Sequence, residues 1–457
     1  MRVAVVVHVP VSGGITRFLL ALCAHLRELD PALELGLFAS PEIAVGDHVL
    51  AASFRRFGAE VVPLGLGDRV ANSPTETAAP SHGRLWRAMR WMAERHDLLY
   101  EGAQEAALWY RRRILRAGRQ WYEFEFSQEA LRALEHYDVV YLPNSFYVEP
   151  ARLRTPVVAT VHDLNFKHFH RNFPARLRRL LERESRFWMA RFDVIVNSTR
   201  FIESEVRQFY PATAGKTRVV YLAPYSFSPP APERAARVVR ELGLPSRFVL
   251  YPAATSAEHK NVDGFIRAAA ALKRRGELVP FVVTGLRTPL IAGPVTLGRH
   301  DAMGASQRAF RESGLTAGAD IHFLEYLTNE QVDALTLGAS LIVSTSLYEA
   351  GCGPAMDAWQ FGVPVAFSDI PPYREQMEVL RTRAWLFDPR DPEDIARAVH
   401  EALTRREETD GMVAESREGI RHYTWEDVAR GYLDALREAA SGGRAEPEAT
   451  SRKTSSV

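Results

Sequence analysis

The sequence is short of several things that a specialised protein would need. It has two cysteines in 457 residues, Cys23 and Cys352, too few for a disulfide framework or a thiolate zinc site. Sparse cysteine predicts a reducing, cytoplasmic setting. No apolar run approaches the ~20 residues of a membrane-spanning helix, so a transmembrane segment is not expected. The apolar start, Val3 to Val9, is interrupted by His8 and followed by Pro10, Gly13 and Gly14. It lacks the small-residue cleavage site of a signal peptide and reads as a buried first strand. Charge of one sign is also missing. Lys+Arg is 57 and Asp+Glu is 56, a formal charge of +1, without the basic excess of a dedicated nucleic-acid binder. No Asp-x-Asp triplet occurs, which removes the usual carboxylate pair of a metal–diphosphate site. Lysine is scarce: Lys167, Lys216, Lys260, Lys273 and Lys453 are the only five.

What is present is an ordinary soluble composition, 46% apolar and 25% charged. At ~100–200 residues per domain the length predicts two or three domains. Short β-branched runs alternate with helical patterns. In the first half the strands are expected at Val3–Val9, Leu35–Phe38, Glu60–Pro63, Asp138–Leu142, Pro156–Val161 and Asp193–Val196, with a helix over Thr16–Leu29. A second series places strands at 247–252, 279–285, 320–324, 339–345 and 363–367, with helices over Val262–Arg275 and from Asn329. That rhythm predicts the α/β class, with two Rossmann-like parallel-sheet domains. The expected domains are 1–225 and 226–423, followed by a helix over 424–440 and a disordered polar tail over 441–457. The stretch Ser226–Glu233 carries Pro229, Pro230 and Pro232 and would link the domains.

Residues 69–135 break the rhythm. They hold Trp86, Trp91, Trp109 and Trp121 among many arginines. They read either as amphipathic helices packed on the first domain, or as a basic aromatic element for an acceptor or for peripheral contact with an anionic membrane.

Two apparent motifs fail. Gly215-Lys216-Thr217 ends like a phosphate-binding P-loop, but Tyr210 stands where its first glycine belongs. His162, Asp163, His168 and His170 lie close in sequence without any recognised metal-ligand spacing. No metal site is expected.

The segment richest in chemistry runs from Ser344 to Val365. A strand ends near Thr345, and Gly351 and Gly353 provide a turn. Pro354 suits the first turn of a helix, where its missing N–H is not needed, and Gly362 suits the helix stop. A helix N-terminus behind a glycine turn favours a phosphate, through its unpaired N–H groups and its dipole. Two carboxylates frame that turn, Glu349 before it and Asp357 within the helix. Carboxylates do not neutralise phosphate. They accept hydrogen bonds from vicinal sugar hydroxyls.

This segment resembles the donor signature of retaining glycosyltransferases of family 4, which have the GT-B fold. Glu349, Pro354, Ala358 and Gly362-Val363-Pro364-Val365 match the family pattern. The turn departs from it, with Ala350-Gly351-Cys352-Gly353, and the second acid is Asp357 instead of Glu. Other segments follow in the family's order. They are the Gly13-Gly14 loop, the Thr160-Val-His162-Asp163-Leu164 strand end, the Tyr251 to Asn261 loop with Lys260, and the Ile321 to Leu327 segment with Tyr326. No arginine precedes Lys260 after Arg247, where the family often has one.

The resemblance implies a cleft between the domains. His162, Asp163 and Glu349 would serve the transfer step. Gly13, Gly14, Lys260, Tyr326, Cys352, Gly353, Pro354 and Asp357 would bind the donor, with Glu349 on its sugar and Asp357 on its ribose. It implies a nucleotide-sugar substrate, GDP-mannose first, transferred with retention to a glycan, lipid-linked or small-molecule acceptor, with no resident cofactor. Two other classes fit the same fold: a nucleotide-sugar epimerase or phosphorylase, and a non-catalytic nucleotide-sugar-binding protein.

Overall fold

Strand β1, Arg2–Val7, is buried along all but its first residue. A strand with both faces covered needs a near-continuous apolar run, and the run Val3 to Val7 supplies it. In the computed structural model β1 is an interior strand, third in a seven-stranded sheet of order β3-β2-β1-β4-β5-β6-β7. The structure describes residues 1–7, 14–45, 48–64, 126, 128–144, 153–170, 173, 175–225, 229–255, 257–293 and 302–442. The other strands of this sheet are β2 (Glu34–Ala39), β3 (Glu60–Pro63), β4 (Val139–Leu142), β5 (Val157–Thr160), β6 (Val194–Asn197) and β7 (Thr217–Val219). Every pairing in it is parallel.

The second sheet has six strands in the order β10-β9-β8-β11-β12-β13, again all parallel. They are β8 (Val249–Thr255), β9 (Phe281–Leu286), β10 (Ile321–Leu324), β11 (Leu341–Ser344), β12 (Val365–Ser368) and β13 (Trp385–Phe387). The expected α/β class with two parallel sheets therefore holds. Sequence reading missed β13, whose three residues are too few to show a period. The expected strands also leave out β7, Thr217–Val219, which closes the first sheet against β6.

Both sheets reverse their strand order beside the first strand of each, between β1 and β4 and between β8 and β11. Crevices at the carboxyl ends of strands open at such points and receive ligands. Six helices matter for the site. They are α1 (Gly14–Leu29), α2 (Arg200–Phe209), α3 (Val262–Arg275), α4 (Gly353–Phe361), α5 (Pro371–Leu380) and α6 (Trp425–Ala440). The last of these returns to the first sheet. Its Trp425 and Tyr432 rings meet Phe18 of α1 at 5.8 and 5.6 Å, and Tyr432 shares a hydrogen bond of 2.9 Å with Thr160. The helical insert expected over 69–135 falls outside the described residues, apart from Phe126 and a helix at Gln128–Leu134. The tail expected over 441–457 also falls outside them beyond Gly442.

Candidate functional site

The loop after β8 tightens into a turn at Glu258–Lys260, and Asn261 follows with φ 50°. Asparagine tolerates that left-handed backbone better than most residues. Its side chain locks it there by donating to the carbonyls of Thr345, at 3.1 Å, and Pro389, at 2.7 Å. Tyr251 fixes the same turn from below by donating to the Lys260 carbonyl at 2.6 Å. Lys260 is thereby aimed across the switch point at the loop that follows β11.

There its Nζ meets Glu349 Oε1 at 2.6 Å, with both side chains mostly buried, 19% and 18% exposed. Ser346 Oγ donates to the same carboxylate oxygen at 2.7 Å. Burial works to raise the Glu349 carboxyl, but Lys260 outweighs it and holds Glu349 below the usual carboxylate range. Burial works equally to lower the Lys260 ammonium, and Glu349 outweighs it, so that group is raised. Each charge keeps the other ionised.

The facing wall comes from the end of β5. His162 lies half-buried beside the Phe18 ring, with centroids 5.7 Å apart at right angles. Burial pushes its imidazole down to about 4, against a smaller opposing contribution from the Pro143 carbonyl, so it is neutral at physiological pH. Its Nε2 is buried without a hydrogen-bond partner among the described residues. Asp163 accepts from the Asn165 N–H at 3.0 Å. Burial raises its carboxyl, and Glu349 adds to the rise, while the Asn165 N–H, His259 and Lys260 oppose it. Those electrostatic contacts bring Asp163, His259, Lys260 and Glu349 into one cluster, and burial with Lys260 holds His259 low.

Helix α4 begins at Gly353 with proline in its first turn and ends at Gly362 with φ 76°, as the sequence predicts. The turn before it is propped by Gln376 of α5. Gln376 accepts the Cys352 N–H at 2.7 Å, and a Cβ on Gly351 would come within 2.5 Å of the same amide oxygen. Glycine is needed at 351 for that close approach. Cys352 itself is 1% exposed, its thiol and N–H both rest on Gln376, and its carbonyl accepts from Ala355 and Met356, so it supports the turn and offers no free group to a ligand.

Asp357 is buried and engaged. Its Oδ2 lies 3.2 Å from Arg17 of α1, and its Oδ1 accepts the Tyr225 N–H at 3.1 Å. It therefore reaches the first domain instead of lining the turn alone. Tyr326 follows β10 at 43% exposure, an open ring two strands from β8. Gly14 opens α1 with open space beyond its Cα, and Gly13 lies outside the described residues. The structure thus brings Glu349, Lys260 and Asp163 together with His259, sets His162 beside Asp163 in the chain but against Phe18, and leaves Tyr326 at a distance along the second sheet.

Sequence reading did not single out His259, Ser346, Arg17 or Gln376. His259 stood beside Lys260 in the quoted loop and was legible by position. The other three make contacts far apart in sequence and left no local signal. Among the described residues, no group of three or more His, Cys, Asp or Glu side chains is placed to hold a metal ion. No described helix is long and apolar enough to cross a membrane.

Comparison with known proteins fits this geometry. Residues 12–223 match the family model described as Glycosyltransferase Family 4, and residues 236–419 match that described as Glycosyl transferases group 1. The O-antigen chain mannosyltransferase B of Escherichia coli is 24% identical over 365 residues, which are 79% of this chain and 85% of that protein. The D-inositol 3-phosphate glycosyltransferase of a Nocardioides strain is 25% identical over 336 residues, 69% of this chain and 71% of that one. The structure of Anabaena HepE in complex with UDP and glucose superposes with a TM-score of 0.61 at 14% identity, covering 96% of this chain and 100% of the other. With both halves matched in order around a charged pair at the switch point, the chain is an enzyme of the GT4-like glycosyltransferases, with their GT-B fold.

Proposed function

We propose that the enzyme transfers a hexosyl group, mannose first, from a nucleotide-sugar donor, GDP-mannose first, with retention of anomeric configuration. The acceptor would be a glycan, a lipid-linked sugar or a small molecule. The observation that carries this reading is the Lys260–Glu349 pair at the β8/β11 switch point, in one electrostatic cluster with Asp163 and His259. Lys260 and the start of α4 would take the diphosphate, a compact cation and a helix N-terminus being suited to phosphate. Glu349 would accept from sugar hydroxyls. The orphaned Nε2 of His162 would find its partner in the donor sugar. Asp357 would take the ribose hydroxyls in competition with Arg17.

In the transfer itself the bond from the anomeric carbon to phosphate oxygen breaks. The bond to the acceptor oxygen forms on the same face, and the acceptor proton passes to the departing diphosphate. The developing negative charge on that diphosphate is what the site must stabilise. The mannosyl preference is supported by the E. coli mannosyltransferase relative.

The test has two parts. Thermal stabilisation by GDP, UDP, ADP and dTDP, each with and without Mg²⁺, names the base. A ligand at ~100 times its dissociation constant adds about 2.7 kcal/mol. NMR of the product then reads the anomeric configuration. A shift for GDP that is lost in Lys260→Ala, with an α-linked product from an α-linked donor, is expected. A preference for UDP overturns the donor, and an inverted product overturns the mechanism.

A further inference from the structure

The loop that carries Glu349 belongs to the second sheet, yet the first domain holds it on both sides. On one side is Tyr348, 6% exposed. Its hydroxyl accepts the Leu164 N–H at 3.0 Å and donates to Glu205 Oε2 of α2. On the other side, Ser198 Oγ donates to the Ala350 carbonyl at 3.0 Å. Leu164 directly follows Asp163, and Tyr348 directly precedes Glu349. One phenol hydroxyl is therefore bonded next to both acids of the cleft.

Glu205 is 7% exposed and uses its second oxygen on His168 Nε2 at 2.7 Å. Burial, with Glu205 close by, drives the Tyr348 phenol far above its ordinary range, so it remains an O–H donor at any working pH. The ring is packed between Phe169 and Phe201, each centroid 6.0 Å away, and lies 5.1 Å from His168. Helix α2 is itself docked by the second domain. Glu375 of α5 accepts the Arg200 and Phe201 N–H groups at its first turn, at 2.6 and 3.0 Å. A buried carboxylate is costly unless its oxygens are satisfied. Glu205 satisfies one of them only by reaching across the domain boundary.

We propose that Tyr348 and Glu205 are positioning residues for the transfer step: their hydrogen bond sets the backbone beside Glu349 and Asp163 when the two domains meet as they do here. This rests on the reading of Glu349 as the sugar-facing acid. Lys260 and the start of α4, the diphosphate side of that reading, both belong to the second domain and do not use this hydrogen bond. The proposal therefore separates chemistry from donor binding.

The experiment is a set of variants, Tyr348→Phe, Glu205→Gln and the double variant, with Glu349→Gln as control. Turnover, donor KM, the dissociation constant for the nucleoside diphosphate and thermal stability are measured on each. Tyr348→Phe keeps the packed ring and removes only the hydroxyl. A misplacement of about 1 Å costs up to ~100-fold, so a fall in kcat of about ten- to a hundredfold is expected. Nucleotide affinity should stay within about threefold, since its ligands lie outside the pair. The double variant should lose little more than the worse single variant, because Tyr348→Phe removes and Glu205→Gln weakens the same contact.

Unchanged kcat in both single variants, with only thermal stability reduced, overturns the proposal and leaves the contact a domain tie. Nucleotide affinity falling in step with kcat also overturns it. If Tyr348→Phe fails to fold, Glu205→Gln carries the test, because it keeps the shape and an oxygen acceptor but gives up the charge. A near wild-type Glu349→Gln would instead sink the sugar-facing reading, whatever the pair does.

Discussion

The two walls of the cleft treat their ionisable groups in opposite ways. On the second domain, Lys260 and Glu349 lie 2.6 Å apart and each keeps the other charged against burial. On the first, His162 and Asp163 are adjacent in sequence, and burial pushes both toward their neutral forms. The difference is one of partners. A buried charge survives when an opposite charge sits on it, and is driven neutral when it does not. A site that must hold a diphosphate and release it charged needs the first kind of wall. A site that must present hydrogen bonds to uncharged sugar hydroxyls needs the second.

The largest effect is expected from breaking the charged wall. Glu349→Gln and Lys260→Ala should each lower turnover by at least about 100-fold, the scale of losing a stabilising group for developing charge. Each also leaves a mostly buried charge without its partner, destabilising by about 3 kcal/mol. A Lys260→Met, Glu349→Gln double variant should regain much of that stability and none of the turnover. Initial rates and thermal unfolding on the same preparations check this. Near wild-type rates in both single variants would remove the pair from the chemistry.

Asp163→Asn sharpens the contrast. Burial holds the Asp163 carboxyl above its ordinary range, and the amide keeps its shape and an acceptor oxygen, so about tenfold in kcat is expected, below the ~100-fold that a proton-transferring group contributes at the least. A loss equal to that of Glu349→Gln would mean the two walls do not differ.

The neutral wall also has a stability signature. The His162 imidazole titrates near 4 when folded and near 6.5 when free. Below pH 6.5 the unfolded chain binds a proton that the folded chain refuses. The contribution of His162 is therefore full above that pH and declines as pH falls toward about 4. Its size is about 1.4 kcal/mol per pH unit within the window, roughly 3 kcal/mol in all. Urea unfolding at pH 7 and pH 5 should show His162→Gln losing less stability than the wild type between the two. An equal loss contradicts the burial argument.

The smallest effect on turnover concerns the acid that crosses between the walls. Arg17→Ala removes the partner of Asp357 and a weaker contact with Asp333 at 3.5 Å. The Tyr225 N–H remains on Asp357. Leaving buried Asp357 short of that charge should cost about 3 kcal/mol of stability, as for the Lys260–Glu349 pair, while turnover changes least of all. If ribose competes with Arg17 for Asp357, nucleotide affinity should rise slightly. A fall of tenfold would make Arg17 itself a nucleotide ligand.

Much of this protein was legible in its residues. Strand Glu60–Pro63 and helix Val262–Arg275 fall where their β-branched run and their 3.6-residue periodicity place them. The start and stop of α4 follow from Pro354 and Gly362, because proline and glycine fix the backbone locally. Lys260 and Glu349 stand out by type and by their strand-end positions. What failed to show was of another kind. Ser198 and Ala350, Glu205 and Tyr348, and Arg17 and Asp357 are 152, 143 and 340 residues apart in the chain, and each pair bridges the two domains.

Periodicity, turn residues and caps act within a few residues, so two α/β units and the strand ends at which ligand-binding side chains stand can be read from the chain alone. Which of those side chains share a charge, and which burial pushes toward the neutral form, is settled only by the fold. The fold also decides that the loop holding Glu349 is fastened to the other domain. Burial and ion pairing depend on what the fold brings within a few ångströms, and chain distance carries no record of that.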